Sequence, residues 1–275
     1  MSCTRGSMEA LFLPCPSGMS FCLLHVPSVP PRGAFVYVPP FAEEMNKSRR
    51  MAAIHARALA HDGWFVLQPD LFGCGDSGGA FHEATWDGWL ADLVCLAEWL
   101  RNRTGFTPAL WGLRAGCLLA AEVLPKLSWT PNLLFWQPVL SGKQHLQQFI
   151  RLKLAGEMLA DPATGKGSLA EMRAKLLNDE CVEIAGYLLS PGVALGLDKS
   201  NLLPAPAEGR LFWLEVASSV EGGMTPAASV ALGKWREAGW HLQSKVVEGV
   251  PFWQTQEIEE VPALIMESLC CLEMS

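Results

Sequence analysis

The sequence predicts a doubly wound α/β fold, with a mostly parallel sheet of eight strands and helices on both faces. Three observations predict it. Short apolar segments of strand type alternate with helical segments in both halves of the chain. Two strand-like segments near the N-terminus flank a Pro-Ser-Gly turn, and a run of helical segments interrupts the alternation after residue 140. The alternation indicates a parallel sheet, because each crossover between parallel strands places a helix on one face.

The first strands can be justified in order. Residues 11–13 and 21–25 predict a hairpin at one edge of the sheet. Residues 34–38 form a short apolar run that ends at Pro39-Pro40, as expected of a buried strand that stops at a loop. Residues 51–60 are helical in pattern, and residues 64–67 predict the next strand.

The middle elements follow the same alternation. Residues 85–100 have apolar residues at helical spacing, with acidic residues between them, which predicts a helix packed on the core. A short strand at 109–111 leads into Gly112, a buried helix follows at 117–123, and the next strand lies at 133–136.

The chain then divides into core and insertion. Residues 1–140 are predicted to be the first part of the core, residues 141–206 a helical cap, and residues 207–275 the second part of the core. The last part is expected to contain strands at 211–216 and 242–247 and helices at 226–238 and 257–271.

Composition excludes some functions. The chain has 275 residues, a net charge of −7 and 50% hydrophobic residues, with a mean hydropathy of +0.19 and a pI near 5.4. A sequence-independent grip on nucleic acid needs clustered Lys and Arg, so no nucleic-acid partner is expected. The single basic cluster, Lys47-Ser48-Arg49-Arg50, is interpreted as a solvated helix start.

Compartment and cofactors are also constrained. Nine cysteines are scattered without the paired spacing of a zinc site, so no metal and no cofactor are expected. No leader segment is apparent, and no run of about 18 uncharged apolar residues exists, so stable membrane insertion is not expected. A cytoplasmic location follows as an expectation.

Three local stretches together resemble the α/β-hydrolase superfamily. Asp70-Leu71-Phe72-Gly73-Cys74-Gly75-Asp76-Ser77 is similar to the Gly-rich loop after its fourth strand, and Val38-Pro39-Pro40-Phe41 occupies the place of its oxyanion-hole loop. Gly112-Leu113-Arg114-Ala115-Gly116 has the frame of a nucleophile elbow between a strand and a helix.

A narrower resemblance is to the exosortase A system-associated hydrolases of the second type. It is carried by residues 39–50, by the elbow frame and by Pro251-Phe252-Trp253-Gln254-Thr255. It implies a bacterial protein of an exosortase and exopolysaccharide system, acting as an ester or thioester hydrolase or an acyl transferase.

The catalytic groups of that superfamily are not where its pattern requires them. Arg114 stands at the apex, and a guanidinium has no lone pair with which to attack. The loop after the last strand contains no histidine, since His241 precedes that strand. Glu221 is the only carboxylate at residues 218–224, where the acid is expected. A Ser-His-acid triad is therefore not predicted, which is typical of a pseudoenzyme.

Other groups are weak candidates for chemistry. Cys74 and Ser77 lie in the Gly-rich loop, where filling space and bracing the turn are the simpler roles. Cys117 is interpreted as a buried structural thiol. The side chains of His55, His82 and His145 could approach the site, but surface or capping positions are expected for all three.

Arg114 needs a negative partner, because the helix after the elbow already directs its positive dipole end to the same place. Glu43 and Glu44, on the loop after the third strand, are the internal candidates. Two interpretations remain open: an ionic lock with one of these carboxylates, or an anchor for an anionic ligand helped by Lys47 or Arg49. The residues expected at the ligand are Phe41, Glu43, Glu44, Leu113, Arg114, Ala115 and Trp253.

Two main function classes therefore stay open, and a scaffold that associates through its exposed aromatic surface is a weaker third. One is an ester or thioester hydrolase or acyl transferase with non-standard catalytic groups. The other is a non-catalytic binding protein for an anionic acyl or lipid-like ligand, or for a partner protein, with a homodimer as a possible assembly.

Overall fold

The computed structural model describes residues 7–160 and 169–273, with backbone only for 152–160 and 169. Residues 161–168, within the predicted cap, lie outside the described residues. The strands are β1 Ser7–Cys15, β2 Gly18–Val26, β3 Gly33–Val38, β4 Trp64–Pro69, β5 Pro108–Leu113, β6 Leu133–Trp136, β7 Val182–Ile184, β8 Tyr187–Leu189, β9 Arg210–Ala217 and β10 His241–Glu248. The α-helices are α1 Glu43–His61, α2 Trp86–Thr104, α3 Gly116–Val123, α4 Gly142–Ala160, α5 Leu169–Leu177, α6 Pro191–Lys199, α7 Pro226–Glu237 and α8 Pro262–Glu273.

The central sheet has eight strands in the order β1-β2-β4-β3-β5-β6-β9-β10. The β1–β2 hairpin joins β4 in antiparallel register, and the pairs from β4 to β10 are parallel. The predicted doubly wound fold with a mostly parallel eight-stranded sheet is confirmed. Because the chain reverses direction along the sheet beside β3 and β5, the loops after these strands open a crevice at their carboxyl ends.

Two hydrophobic cores lie on opposite faces of the sheet. On one face, α1 and α8 cover a core that contains Trp111 and Trp136. On the other face, α2, α3 and α7 cover a larger core that contains Trp213 and Trp235. Successive side chains of a strand point to opposite faces, so the same strands supply both cores.

The insertion between β6 and β9 holds α4, α5 and α6 and also a small hairpin, β7–β8. The expectation of consecutive helices missed this hairpin. Its strands have only three residues each, and its turn contains Ala185 and Gly186 at positive φ. Pairs of this length give too little periodicity to be recognised in a sequence.

Two helix starts differ from the prediction. Helix α8 begins at Pro262, not at residue 257, because proline favours the first turn of a helix. Helix α1 begins at Glu43, so Glu43 and Glu44 form its first turn and are not loop residues. Acidic side chains stabilise this end of the helix dipole. Within residues 7–160 and 169–273, no helix combines the length and apolar character needed to cross a bilayer.

Candidate functional site

The elbow is a tight turn between β5 and α3. Arg114 stands at its apex with φ of 54°, a left-handed conformation that is uncommon for a residue with a side chain. Both flanking glycines are required by close packing. A Cβ on Gly116 would lie 2.1 Å from the Val38 carbonyl oxygen, and one on Gly112 would lie 2.9 Å from the Cys117 Cα. The turn therefore keeps the strained backbone that presents a side chain to the crevice.

The Arg114 guanidinium forms an ion pair with a carboxylate from α1. Its Nε donates to Glu44 Oε1 at 3.2 Å and to Oε2 at 3.3 Å, and its Nη2 donates to Oε1 at 3.1 Å. Its Nη1 donates to the Gln137 carbonyl oxygen at 3.4 Å. The side chains of Arg114 and Glu44 are only 11% and 14% exposed. The elbow therefore carries a largely buried, multiply bonded ion pair.

Trp253 covers this pair from the loop after β10. The Arg114 Cζ lies 5.2 Å from the centroid of its ring, within the range of a cation–π contact. Trp253 is 4% exposed and packs against Phe252. The loop that would deliver a histidine in the superfamily pattern therefore delivers an indole, which has no basic nitrogen.

A histidine reaches the ion pair from the insertion between β6 and β9 instead. His145, on α4, places its Nε2 3.7 Å from Glu44 Oε2, and its side chain is 7% exposed. Burial lowers its pKa, the Glu44 carboxylate opposes that effect, and the Arg114 guanidinium adds to it. The expectation of a surface or capping position for His145 was wrong. Its spacing of four residues from Phe149, which packs on Phe41, is the signal that could have indicated an inward-facing helix side.

A cavity of about 490 Å³ opens above the pair, between α1, α4 and the loop after β10. It is lined by Phe41, Glu43, Glu44, Lys47, His145, Gln148, Phe149, Trp253 and Gln254. Four of the residues expected at a ligand, Phe41, Glu43, Glu44 and Trp253, are thus brought together. Gln148, Phe149 and Gln254 were missed, because nothing in the sequence places the cap or the last loop against α1.

The other residues expected at the ligand lie elsewhere. Arg114 is below the cavity wall, covered by Glu44. Leu113 is fully buried in the core beneath α1, because side chains alternate along β5. Ala115 is 1% exposed and packs in the core on the opposite face. These two positions shape the turn and do not line the cavity.

The basic cluster is not a simple solvated helix start. Lys47 Nζ lies 3.0 Å from Glu43 Oε1 and donates to the Gln254 carbonyl oxygen at 3.2 Å. Arg49 pairs with Asp70 at 3.1 Å, away from the cavity. Of this cluster, only Lys47 lines the cavity.

The weak candidates for chemistry have structural surroundings. Ser77 Oγ donates to the Asp70 carbonyl oxygen at 2.6 Å and accepts from Phe21 N–H at 2.8 Å, so it braces the Gly-rich loop. Burial raises the pKa of Cys74 to about 12 and raises that of Cys117 well above its usual value. Glu221 is exposed on the loop after β9. In the described residues, none of these groups contacts a histidine.

His55 and His82 are also resolved. His55 is fully buried between the rings of Trp111 and Trp136, with centroids 4.5 and 4.6 Å away, so the expectation of a surface position was wrong. His82 is exposed, as expected. Among the described residues, no group of three or more His, Cys, Asp or Glu side chains is arranged to hold a metal ion.

Known structures share this architecture. The alpha/beta hydrolase GrgF from a Penicillium species superposes with a TM-score of 0.61 at 15% identity, over 98% of this chain and 96% of that one. Est1E from Butyrivibrio proteoclasticus, solved with ferulic acid, gives 0.64 at 15% identity, over 97% and 100%. A hyperthermophilic esterase from Pyrobaculum calidifontis gives 0.60 at 15% identity, over 98% and 87%. The chain has the α/β-hydrolase fold.

Similarity in sequence covers less of the chain than similarity in structure does. No protein-family model matches the chain. Human Protein ABHD12B is 37% identical over 88 residues, which are 32% of this chain and 23% of that protein. The chain thus spans less than a quarter of the length of this curated relative.

Proposed function

We propose that the chain is a non-catalytic binding protein on the α/β-hydrolase fold, and that it holds an anionic acyl or lipid-like ligand in the 490 Å³ cavity. One observation carries the proposal: the apex of the elbow is a guanidinium closed by Glu44, where a reacting hydroxyl would be needed. The volume is that of a small-molecule site.

The cavity wall has an apolar and a polar part. Phe41 and Phe149 meet edge to face with centroids 5.0 Å apart, and Trp253 adds a third aromatic surface. These side chains suit an acyl or aromatic tail. Lys47 is the cation of the wall, 26% exposed, and its partner Glu43 is 40% exposed. A ligand carboxylate would replace Glu43 at Lys47 more readily than it would replace Glu44 at the buried Arg114.

Titration of decanoate and of uncharged decanol, followed by Trp fluorescence, tests this proposal. We expect both to bind and decanoate to bind more tightly. Lys47→Gln should weaken decanoate binding by about three- to tenfold and leave decanol unchanged, since the lost contact is charge-assisted. Arg50→Gln, on the same helix outside the cavity, is the matched control. Failure of both compounds to bind would exclude an acyl ligand.

Hydrolysis of p-nitrophenyl decanoate is the second part of the test, because this compound carries the decanoyl group of decanoate in an ester. We expect no release above buffer. The alternative, an ester or thioester hydrolase or acyl transferase, is favoured by an esterase among its structural neighbours and by the contact of His145 with Glu44. Turnover that His145→Gln abolishes would establish that alternative. The bacterial exosortase and exopolysaccharide setting is proposed on the sequence resemblance.

A further inference from the structure

A second cavity, of about 240 Å³, lies on the other side of α1. Met45 and Arg49 line it, whereas Glu44 and Lys47 line the first cavity. With about 3.6 residues per turn, these two pairs lie on opposite faces of the helix. No residue lines both cavities. A ligand of the second cavity would therefore not contact the first.

The walls of the second cavity are mostly apolar. Phe21 and Leu23 on β2 face Met45 and Ala52 on α1 across it. Leu23 stands opposite Gln68 in the β2–β4 register, so a polar side chain lies on the same face of the sheet as the apolar ones.

Tyr37 is the unusual group in this cavity. It is 6% exposed and its ring packs on Trp111, with centroids 4.4 Å apart. It lines the cavity, and no side chain or backbone group of the described residues forms a hydrogen bond with its hydroxyl. Unlike the indole nitrogen of the neighbouring Trp111, which is enclosed without a partner, the Tyr37 oxygen is open to the cavity. Its proton is therefore available to an acceptor that enters the cavity.

Two other polar groups of the cavity, Gln68 and Arg49, also retain donors, whereas both oxygens of the third, Asp70, already accept from the chain. Gln68 accepts from His25 Nε2 at 2.7 Å, which leaves its amide N–H groups. Arg49 donates from Nη2 to Asp70 and from Nε to Asn46, which leaves Nη1. The Arg49 charge is balanced by Asp70 at 3.1 Å. The cavity thus offers donors without an unbalanced cation.

We propose that this second cavity is a binding site for a small neutral molecule with an apolar body and a carbonyl oxygen. The carbonyl would accept from the Tyr37 hydroxyl and from Gln68 or Arg49, and the body would pack on Phe21 and Met45. A carboxylate would lose its hydration without gaining an unpaired cation, so a neutral acceptor is preferred. The volume suits a fragment-sized molecule. The inference is independent of the function proposed for the first cavity.

Benzamide, benzoate and benzylamine test the proposal, because they share one ring and differ in charge and acceptor. The probe is the ¹³C-methyl resonance of Met45 in the full chain labelled at methionine, assigned with Met45→Leu. We expect benzamide to shift it with a Kd of about 1 mM or lower. Benzoate should bind at least about threefold more weakly, and benzylamine, which has no acceptor, should not bind.

Two variants connect the binding to this cavity. Tyr37→Phe keeps the ring and should weaken benzamide binding by about fivefold, while Ala53→Leu should fill the cavity and abolish it. Gln148→Ala, in the first cavity, should leave it unchanged. The proposal is overturned if benzamide, at a concentration about ten times the expected Kd, leaves the Met45 methyl resonance unshifted. That result would indicate a cavity filled by water only. It would also be overturned if Tyr37→Phe bound benzamide as tightly as the unsubstituted protein does, or if benzylamine bound.

Discussion

The Glu44 carboxylate accepts hydrogen bonds from two nitrogens of Arg114, Nη2 at 3.1 Å and Nε at 3.2 Å, and so neutralises the apex of the elbow from the first turn of α1. The pair has both requirements of a stable buried ion pair, multiple charge-assisted hydrogen bonds and little solvent. It also occupies the position from which an α/β-hydrolase would attack an ester. The apex therefore carries a guanidinium, which has no lone pair with which to attack an ester.

The first prediction concerns the stability of this pair. Glu44→Gln keeps the shape of the side chain but removes the counter-charge of Arg114, whose side chain is only 11% exposed. We expect the free energy of unfolding in urea to fall by about 1 to 3 kcal/mol. Glu43→Gln is the matched control, because Glu43 is 40% exposed and should cost less than about 0.5 kcal/mol. Equal losses for the two variants would contradict a special role for Glu44.

The second prediction concerns pH. Burial lowers the pKa of His55 from 6.5 to about 3, so between these values the unfolded chain binds a proton that the folded chain does not. Stability should therefore fall as the pH falls through 6.5, with a slope of about 1.4 kcal/mol per pH unit from this one group. The lowered pKa of His145 contributes with the same sign.

His55→Phe tests this source of acid sensitivity. The phenyl ring would replace the imidazole between Trp111 and Trp136 and has no titrating nitrogen, so the slope of unfolding free energy against pH should become shallower between pH 6.5 and about 3. His61→Gln, at the exposed end of the same helix, should leave the slope unchanged. A wild-type slope in His55→Phe would show that other groups determine the acid sensitivity.

The sequence predicted the fold better than it predicted the candidate site. Strand alternation and turn residues gave the eight-stranded sheet, because each element is specified by local periodicity. The position of Arg114 and the need for a carboxylate beside it were also readable, since the elbow frame is local. The choice of Glu44 over Glu43 was not, because it depends on where α1 begins.

Contacts between distant segments could not be predicted. His145 contacts Glu44, 101 positions earlier in the chain, because α4 packs beside α1, and no local sequence pattern encodes that contact. Leu113 was expected at the ligand because it adjoins the apex, but the two-residue alternation of β5 turns it into the core. Neighbours in sequence are poor guides to neighbours in a site where strands end.

The third prediction concerns the elbow glycine. Gly116→Ala would place a Cβ 2.1 Å from the Val38 carbonyl oxygen, so α3 would have to move away from the loop after β3. We expect a loss of about 2 kcal/mol or more in unfolding free energy. Gly233→Ala, inside α7, meets no atom within 4 Å and should gain about 0.5 to 1 kcal/mol. A neutral Gly116→Ala would mean that the turn is not tightly packed.

The last prediction is that restoring the hydroxyl does not restore a hydrolase. Arg114→Ser would place an oxygen at the strained apex, where φ is 54°. His145, the imidazole beside the ion pair, contacts Glu44, and Trp253 occupies the loop position of a general base. We expect Arg114→Ser and Arg114→Ala to be equally inert toward p-nitrophenyl decanoate. Arg114→Ser with Trp253→His adds an imidazole over the apex and should react with a fluorophosphonate at least about a hundredfold faster than Arg114→Ser. If Arg114→Ser alone hydrolysed the ester, a general base would have to lie within reach of the apex. Arg114 alone would then account for the lack of hydrolysis in the unsubstituted protein.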